Sequence, residues 1–162
     1  MVHADEVAAW ADEYGREIHA YLWRMLGDAQ DAEDCFQETF LRALRHRSGP
    51  LVRQPRPWLY AIAGNVARSH LARRRKEQDR RVDPDVELAA ADAADGRDRL
   101  AAVRRAVDAL PARQRQALVL RRYQGLSYDE VARVLGGSPA TARANVYQAV
   151  RKLREAFPEE AR

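Results

Sequence analysis

The sequence predicts an all-α protein made of two small helical domains joined by an acidic linker. Apolar residues recur at intervals of three and four along most of the chain, with little strand-type alternation. The helical runs are punctuated by residues that stop and start helices: Gly27-Asp28, Gly49-Pro50, Gly125 with Ser127, and Gly136-Gly137-Ser138-Pro139. The texture breaks once, over DPDVELAAADAADGRD (Asp83–Asp98), which is acidic, alanine-rich and without aromatic side chains. These breaks divide the 162 residues into an N-terminal domain (1–81), a linker (82–98) and a C-terminal domain (99–162).

The first helix is expected from about Asp5 to Leu26, because Val7, Trp10, Tyr14, Ile18, Tyr21, Leu22 and Met25 share one face. Gly27 suits the position just past its end, and Asp28 can cap the next helix. That second helix should reach about Arg47, with Phe36, Phe40 and Leu44 on one side. Ser48 to Pro57 reads as a loop because of Gly49-Pro50 and two further prolines, Pro55 and Pro57. A third helix, PWLYAIAGNVARSHLARRRK, is expected from Pro57 to Lys76. Four helices should follow the linker, at about Arg99–Ala109, Ala112–Tyr123, Tyr128–Leu135 and Pro139–Ala156. Ser127 and Glu130 have capping-box spacing, and Pro139 falls at a first helical turn behind Ser138.

Charge is arranged in blocks. Residues 1–44 hold ten acidic and three basic side chains, and residues 45–81 hold two and eleven. Residues 82–98 hold six and one, and residues 99–162 hold six and thirteen. Two basic blocks on either side of an acidic connection point to two contacts with a polyanion, since Lys and Arg neutralising phosphates supply most nonspecific nucleic-acid affinity.

Other classes find little support. No run approaches the roughly 18 apolar residues of a membrane span. MVHADEVAAW has acids where a secretory signal has positive charge, so a cytoplasmic protein is expected, with no membrane insertion. Cys35 is the one cysteine, expected to be partly buried and inert, and no Cys/His set has zinc spacing. His3, His19, His46 and His70 are scattered, and no phosphate loop or nucleophile set stands out. A nonenzymatic protein without cofactor or metal is the expectation.

The short helix, glycine turn and capped longer helix at the C-terminus make a helix-turn-helix arrangement. At about 100° per residue, Ala142, Val146, Ala149, Val150 and Leu153 face inward toward Val131, Val134 and Leu135. Thr141, Ala144, Gln148 and Arg151 face outward, flanked by Arg143 and Tyr147 and by Asn145 and Lys152. Arg, Asn and Gln can make paired hydrogen bonds to base edges, while Arg151 and Lys152 suit phosphates. Ala140 and Ala144 permit close approach to a groove. An autonomous dimeric repressor or activator could use the same helix, and a recombinase would need a catalytic Ser or Tyr set that is not evident.

The acidic-aromatic segment DAEDCFQETFLRAL, the basic-aromatic segment PRPWLYAIAGNVARSHLARRRK, the linker and LSYDEVARVLGGSPATARANVYQAVRKLRE together resemble the extracytoplasmic-function (ECF) sigma factors of the bacterial sigma-70 family. The resemblance covers nearly the whole chain. It implies a sigma domain 2-like half and a sigma domain 4-like half that bind core RNA polymerase and direct promoter-specific initiation. Asp31, Glu33, Asp34, Glu38 and Leu41 would then dock on the beta-prime clamp helices, and the C-terminal half would meet the beta flap. Arg45, Arg47, Arg53, Arg56, Asn65, Arg68 and Arg73 would hold melted −10 DNA, with Arg74 and Arg75 extending the positive track. Ser138, Ala140, Thr141, Arg143, Ala144, Asn145, Tyr147, Gln148, Arg151 and Lys152 would read −35 duplex DNA. The linker would thread the polymerase's RNA path, and an anti-sigma factor is an expected partner of a free, monomeric chain. The sequence departs from the common pattern at Ala61, Gly64, Ala142 and Asn145.

Overall fold

The computed structural model describes residues 4–46, 52–81 and 96–158. Arg47, Gly49-Pro50 and residues 82–95 of the acidic linker lie outside the described residues. The elements are α1 (Ala4–Leu26), α2 (Ala29–Arg45), α3 (Pro55–Arg81), α4 (Gly96–Asp108), α5 (Ala112–Arg122), α6 (Tyr128–Leu135) and α7 (Pro139–Ala156), with no strand among the described residues.

Local chemistry sets most of the helix ends. Gly27 adopts φ +74°, and its N–H donates to the Trp23 carbonyl at 2.8 Å, which closes α1. Asp28 Oδ1 accepts from the Asp31 N–H at 2.9 Å and opens α2. The Ser127–Glu130 box is complete: Ser127 Oγ accepts from the Glu130 N–H, and Glu130 Oε2 accepts from the Ser127 N–H. These bonds hold the Glu130 carboxyl below its usual range, led by the one from the Ser127 backbone. Gly136 turns at φ +68°, and Ser138 Oγ then accepts from the Thr141 N–H to start α7.

α3 differs from its expected bounds at both ends. The helix starts two residues before the expected Pro57, so Pro55 and Pro57 both stand in its first turn. Prolines fit there because the first N–H groups of a helix have no intrahelical partner to lose. The helix also continues through KEQDRR to Arg81. α4 likewise takes in Gly96, Arg97 and Asp98, which had been placed in the linker.

α1, α2 and α3 pack on one another around Ile18, Tyr21, Leu22, Met25, Phe40, Ala43, Leu59, Tyr60 and Val66. α5, α6 and α7 form the second group, in which Ala142 and Val146 meet Val131, Val134 and Leu135 as the wheel required. Ala149 and Leu153 do not reach Val131, Val134 and Leu135 as expected; with Val150 they join Leu110 and Leu118 in a smaller cluster, because α7 packs on α5 as well as α6.

The two groups also pack on each other. α6 lies against α3, and α5 lies against α1. One apolar cluster runs without a break from Ile18 and Leu59 to Val119, Leu120, Leu126 and Val131. The buried positions of α3 explain this. Leu59, Tyr60, Ala63, Gly64, Val66 and Ala67 span about 160° of the helix at 100° per residue, wider than the roughly 100° stripe that one packing face needs.

Two outcomes test the packing. Leu59→Ala should lower stability in urea unfolding by about 2–5 kcal/mol, the usual cost of a buried leucine, and a loss under about 1 kcal/mol would contradict its place in the core. The Cys35 thiol is pushed up to about 11, first by burial and then by Asp31. Its thiolate is therefore scarce at neutral pH, and iodoacetamide should label the chain only after denaturation. Fast labelling of the native chain would count against that burial.

Candidate nucleic-acid interface

α7 presents the first candidate surface. Burying Ala142, Val146 and Ala149 turns Ser138, Ala140, Thr141, Arg143, Ala144, Tyr147, Gln148, Arg151 and Lys152 to solvent, and Asn145 is half-buried. Several of these side chains are held by neighbours on the same short motif. The Arg143 guanidinium lies 5.0 Å from the Tyr128 ring centre, and Asn145 Nδ2 donates to the Thr141 carbonyl at 3.0 Å. Arg151 pairs with Glu155 at 3.0 Å, and Ser138 Oγ lies 2.9 Å from Thr141 Oγ1. A cleft of about 310 Å³ runs along this flank between Tyr128, Arg143, Tyr147, Arg151 and Arg154. Arg154, which sequence reasoning did not select, thus joins the basic surface.

The second surface lies where the end of α2 meets α3. Asn65 is exposed, and its Oδ1 accepts from Arg68 Nη2. Beside it Arg42, His46, Trp58, Ile62 and Asn65 line a cavity of about 200 Å³. The His46 ring tilts over Trp58 at 5.2 Å, and Trp58 meets Trp10 edge-on at 5.8 Å. Trp58 is therefore part of the core on one side and of a pocket wall on the other. Arg42 and His46 were not among the expected site residues, because only folding brings the end of α2 over α3. Arg45, Arg53 and Arg73 are exposed; Arg47 lies outside the described residues.

Two expected site residues are engaged elsewhere. Arg56 forms a two-pronged bond with Glu17, Nε to Oε1 and Nη2 to Oε2, each at 2.8 Å. Its Nη2 also donates to the Gln124 carbonyl at 3.2 Å, and Nη1 lies 3.7 Å from Glu130. The Glu17 bond raises the Arg56 pKa, so the guanidinium stays charged. Asp31 turns inward as well: Arg74 Nη1 lies at 2.8 Å and His70 Nε2 at 3.2 Å from its Oδ2.

The other α2 acids form an outward strip. Glu33 takes a hydrogen bond from Gln37 and lies 3.5 Å from His19, while Asp34 accepts from Gln30. Glu38 bonds Arg42 at 2.7 Å, which is the main reason its carboxyl is held below the usual range. Leu41 stands 46% exposed beside them, an apolar side chain on an acidic face.

Fold and surfaces define a bipartite helical protein that pairs a helix-turn-helix with a second basic module. The family description "Sigma-70 region 2" matches residues 10–77, and "Sigma-70, region 4" matches residues 100–153. The chain is 34% identical to the ECF RNA polymerase sigma factor BldN of Streptomyces coelicolor over 98% of its own length and 63% of that protein. It is 33% identical to the RNA polymerase sigma factor CarQ of Myxococcus xanthus, covering 93% of this chain and 90% of the relative. Among solved structures, the fold resembles the sigma factor RpoE from Bartonella quintana, solved with the anti-sigma factor NepR (TM-score 0.68, 23% identity, 93% and 97% covered). It also resembles CnrH, solved with the cytosolic domain of CnrY (TM-score 0.71, 21% identity, 97% and 90% covered). The chain belongs to the sigma-70 family, as an RNA polymerase sigma factor of the ECF type.

Among the described residues no helix is long and apolar enough to cross a membrane, and no group of three metal-ligating side chains is present.

The inward and outward acids of α2 should separate by stability. Asp31→Ala is expected to cost about 1 kcal/mol or more in urea unfolding, whereas Asp34→Ala should stay within about 0.5 kcal/mol. Equal effects would remove Asp31 from the α2–α3 junction.

Proposed function

We propose that this sigma factor divides promoter recognition between its two halves and docks on core RNA polymerase through α2. The observation that carries the proposal is the order of surfaces on one chain: acidic α2, basic α3 with its pocket, and the exposed polar face of α7.

The α7 face supports reading of −35 duplex DNA. Arg143 and Gln148 offer paired donors and acceptors to base edges, Arg151, Lys152 and Arg154 reach phosphates, and Ala140 and Ala144 clear the way for close approach. The α2–α3 surface supports capture of melted −10 DNA. Single strands bind where a positive track adjoins a place for an unstacked base. Arg45, Arg53, Asn65, Arg68 and Arg73 supply the track, and the cavity between His46, Trp58 and Asn65 offers the place. Glu33, Asp34, Glu38 and Leu41 support core docking, an acidic strip around one exposed leucine. Asp31 contributes by holding α2 on α3. The beta-prime clamp helices would meet this strip, and the beta flap would meet the C-terminal half. An anti-sigma partner belongs to the proposal because RpoE of B. quintana is held by one in its solved complex.

The test is transcription in vitro with purified bacterial core polymerase on candidate promoters. Specific initiation that depends on the chain is expected; absence of both core binding and initiation would reject the proposal. Glu33→Lys with Asp34→Lys should weaken core binding and leave duplex binding by the C-terminal half intact. Arg143→Ala or Gln148→Ala should each cost about 1–3 kcal/mol in −35 recognition without changing core affinity. Unchanged promoter preference in both variants would take these residues out of the readout.

A further inference from the structure

One aromatic ring in the C-terminal half is shared by two cations. The Ser127–Glu130 capping box starts α6 at Tyr128, which fixes where this side chain leaves the backbone. Tyr128 is half-buried and packs on the apolar core. The Arg121 guanidinium, from the end of α5, lies 4.9 Å from its ring centre. The Arg143 guanidinium, from α7, lies 5.0 Å from the same centre. Arg121 is also held independently, because its Nη1 donates to the Leu126 carbonyl at 3.2 Å. Three successive helices thus converge on one ring, and Arg143 is the member that stands on the outward face of α7.

Bringing two guanidinium groups to one ring costs Coulomb repulsion, and the electron-rich face of the ring offsets it. The arrangement restrains a long side chain that would otherwise sample many rotamers. A cation–π contact draws on the charge of the guanidinium and leaves its N–H donors for another acceptor. Arg143 is the fifth residue of α7, within the N-terminal stretch of a recognition helix that meets base edges. About two turns farther on, Arg151 is instead paired with Glu155 at 3.0 Å. Of the two, Arg143 is the one whose head is placed by another helix.

We infer that Tyr128 is a positioning residue for promoter reading: its ring, braced by Arg121, presents Arg143 to the major groove and so sets the preference at one −35 base pair. The inference rests on the −35 role proposed above for α7. An unrestrained arginine can swing to a phosphate or to a neighbouring base, which blurs the preference. A head already in place has paired donors for one matching edge, the O6 and N7 acceptors of guanine, and loses less freedom on binding. Tyr128 acts in this way through its ring, not through its hydroxyl. A phosphate contact from the hydroxyl would instead strengthen binding to every sequence alike.

The test is transcription by the full chain assembled with core polymerase, on a promoter library randomised at −35. Arg143→Ala identifies the base pair concerned by flattening the wild-type preference there about tenfold or more. Tyr128→Leu should weaken the same preference by about two- to fivefold, the worth of an exposed cation–π contact, and leave other positions alone. Tyr128→Phe, which keeps the ring and drops the hydroxyl, should retain the preference. In the Arg143→Ala background, Tyr128→Leu should change that preference no further. A folding defect lowers transcription from all promoters together and leaves these ratios unchanged. A second readout needs no DNA. NMR of the free full chain should place the Arg143 side-chain protons upfield, in the ring current of Tyr128, both in wild type and in Tyr128→Phe. Wild-type Arg143 signals at ordinary positions, or a loss of preference in Tyr128→Phe equal to that in Tyr128→Leu, would overturn the inference. A preference lost in Arg143→Ala but untouched by Tyr128→Leu would remove the inference alone. If Arg143→Ala left every preference intact, the −35 role of Arg143 would fall with it.

Discussion

The first turns of α3 are the constraint around which the molecule is arranged. Their buried residues, Pro57 included, cover about 180° of helix surface, more than one neighbour can take. α1 and α2 cover one side, α6 covers the other, and a narrow strip through Trp58, Ile62 and Asn65 is left beside the pocket. Small residues make this possible. Ala63, Gly64 and Ala67 let neighbouring helices come close, and Leu59, Tyr60 and Val66 supply the apolar area. The same helix therefore forms the N-terminal core, receives the second half and presents a basic face. Its second half, which pairs with α2 through Arg74 and runs on as an exposed basic rod, contributes little to the core.

What the sequence made legible follows the range of the interactions. Gly27, Asp28, the Ser127–Glu130 box, Gly136 and Ser138 act within four residues of themselves, so their helix ends could be read directly. The inward face of α7 was legible from its period, but its division between α6 and α5 was not, and Ala149 and Leu153 join Leu110 and Leu118. Pro55 reads as loop in the sequence, although α3 begins there, because proline both ends helices and begins them, and only the following turns decide which. The docking of the halves was illegible because polar side chains mediate much of it. Gln116 and Arg115 look like surface residues until a notch and a carbonyl from the other half enclose them. Arg56 reads as one more member of a basic track, since its partner Glu17 is 39 residues away. Asp31 and Glu33 look alike in sequence, yet one faces α3 and the other faces solvent.

A few ion pairs join the acidic and basic surfaces of the N-terminal half. The α2 acids and the arginines of α3 would attract each other strongly if left unpaired at close range, at a cost to any surface meant for an outside partner. Asp31 with Arg74 uses one such attraction to fix α2 against α3. Glu17 neutralises Arg56 at the boundary between the halves. Glu33 and Asp34 are left exposed, while Glu38 bonds Arg42 and feels the charges of Arg45 and Arg73. The acidic strip and the basic track therefore meet at Glu38, and Glu33 and Asp34 remain the exposed acids of α2.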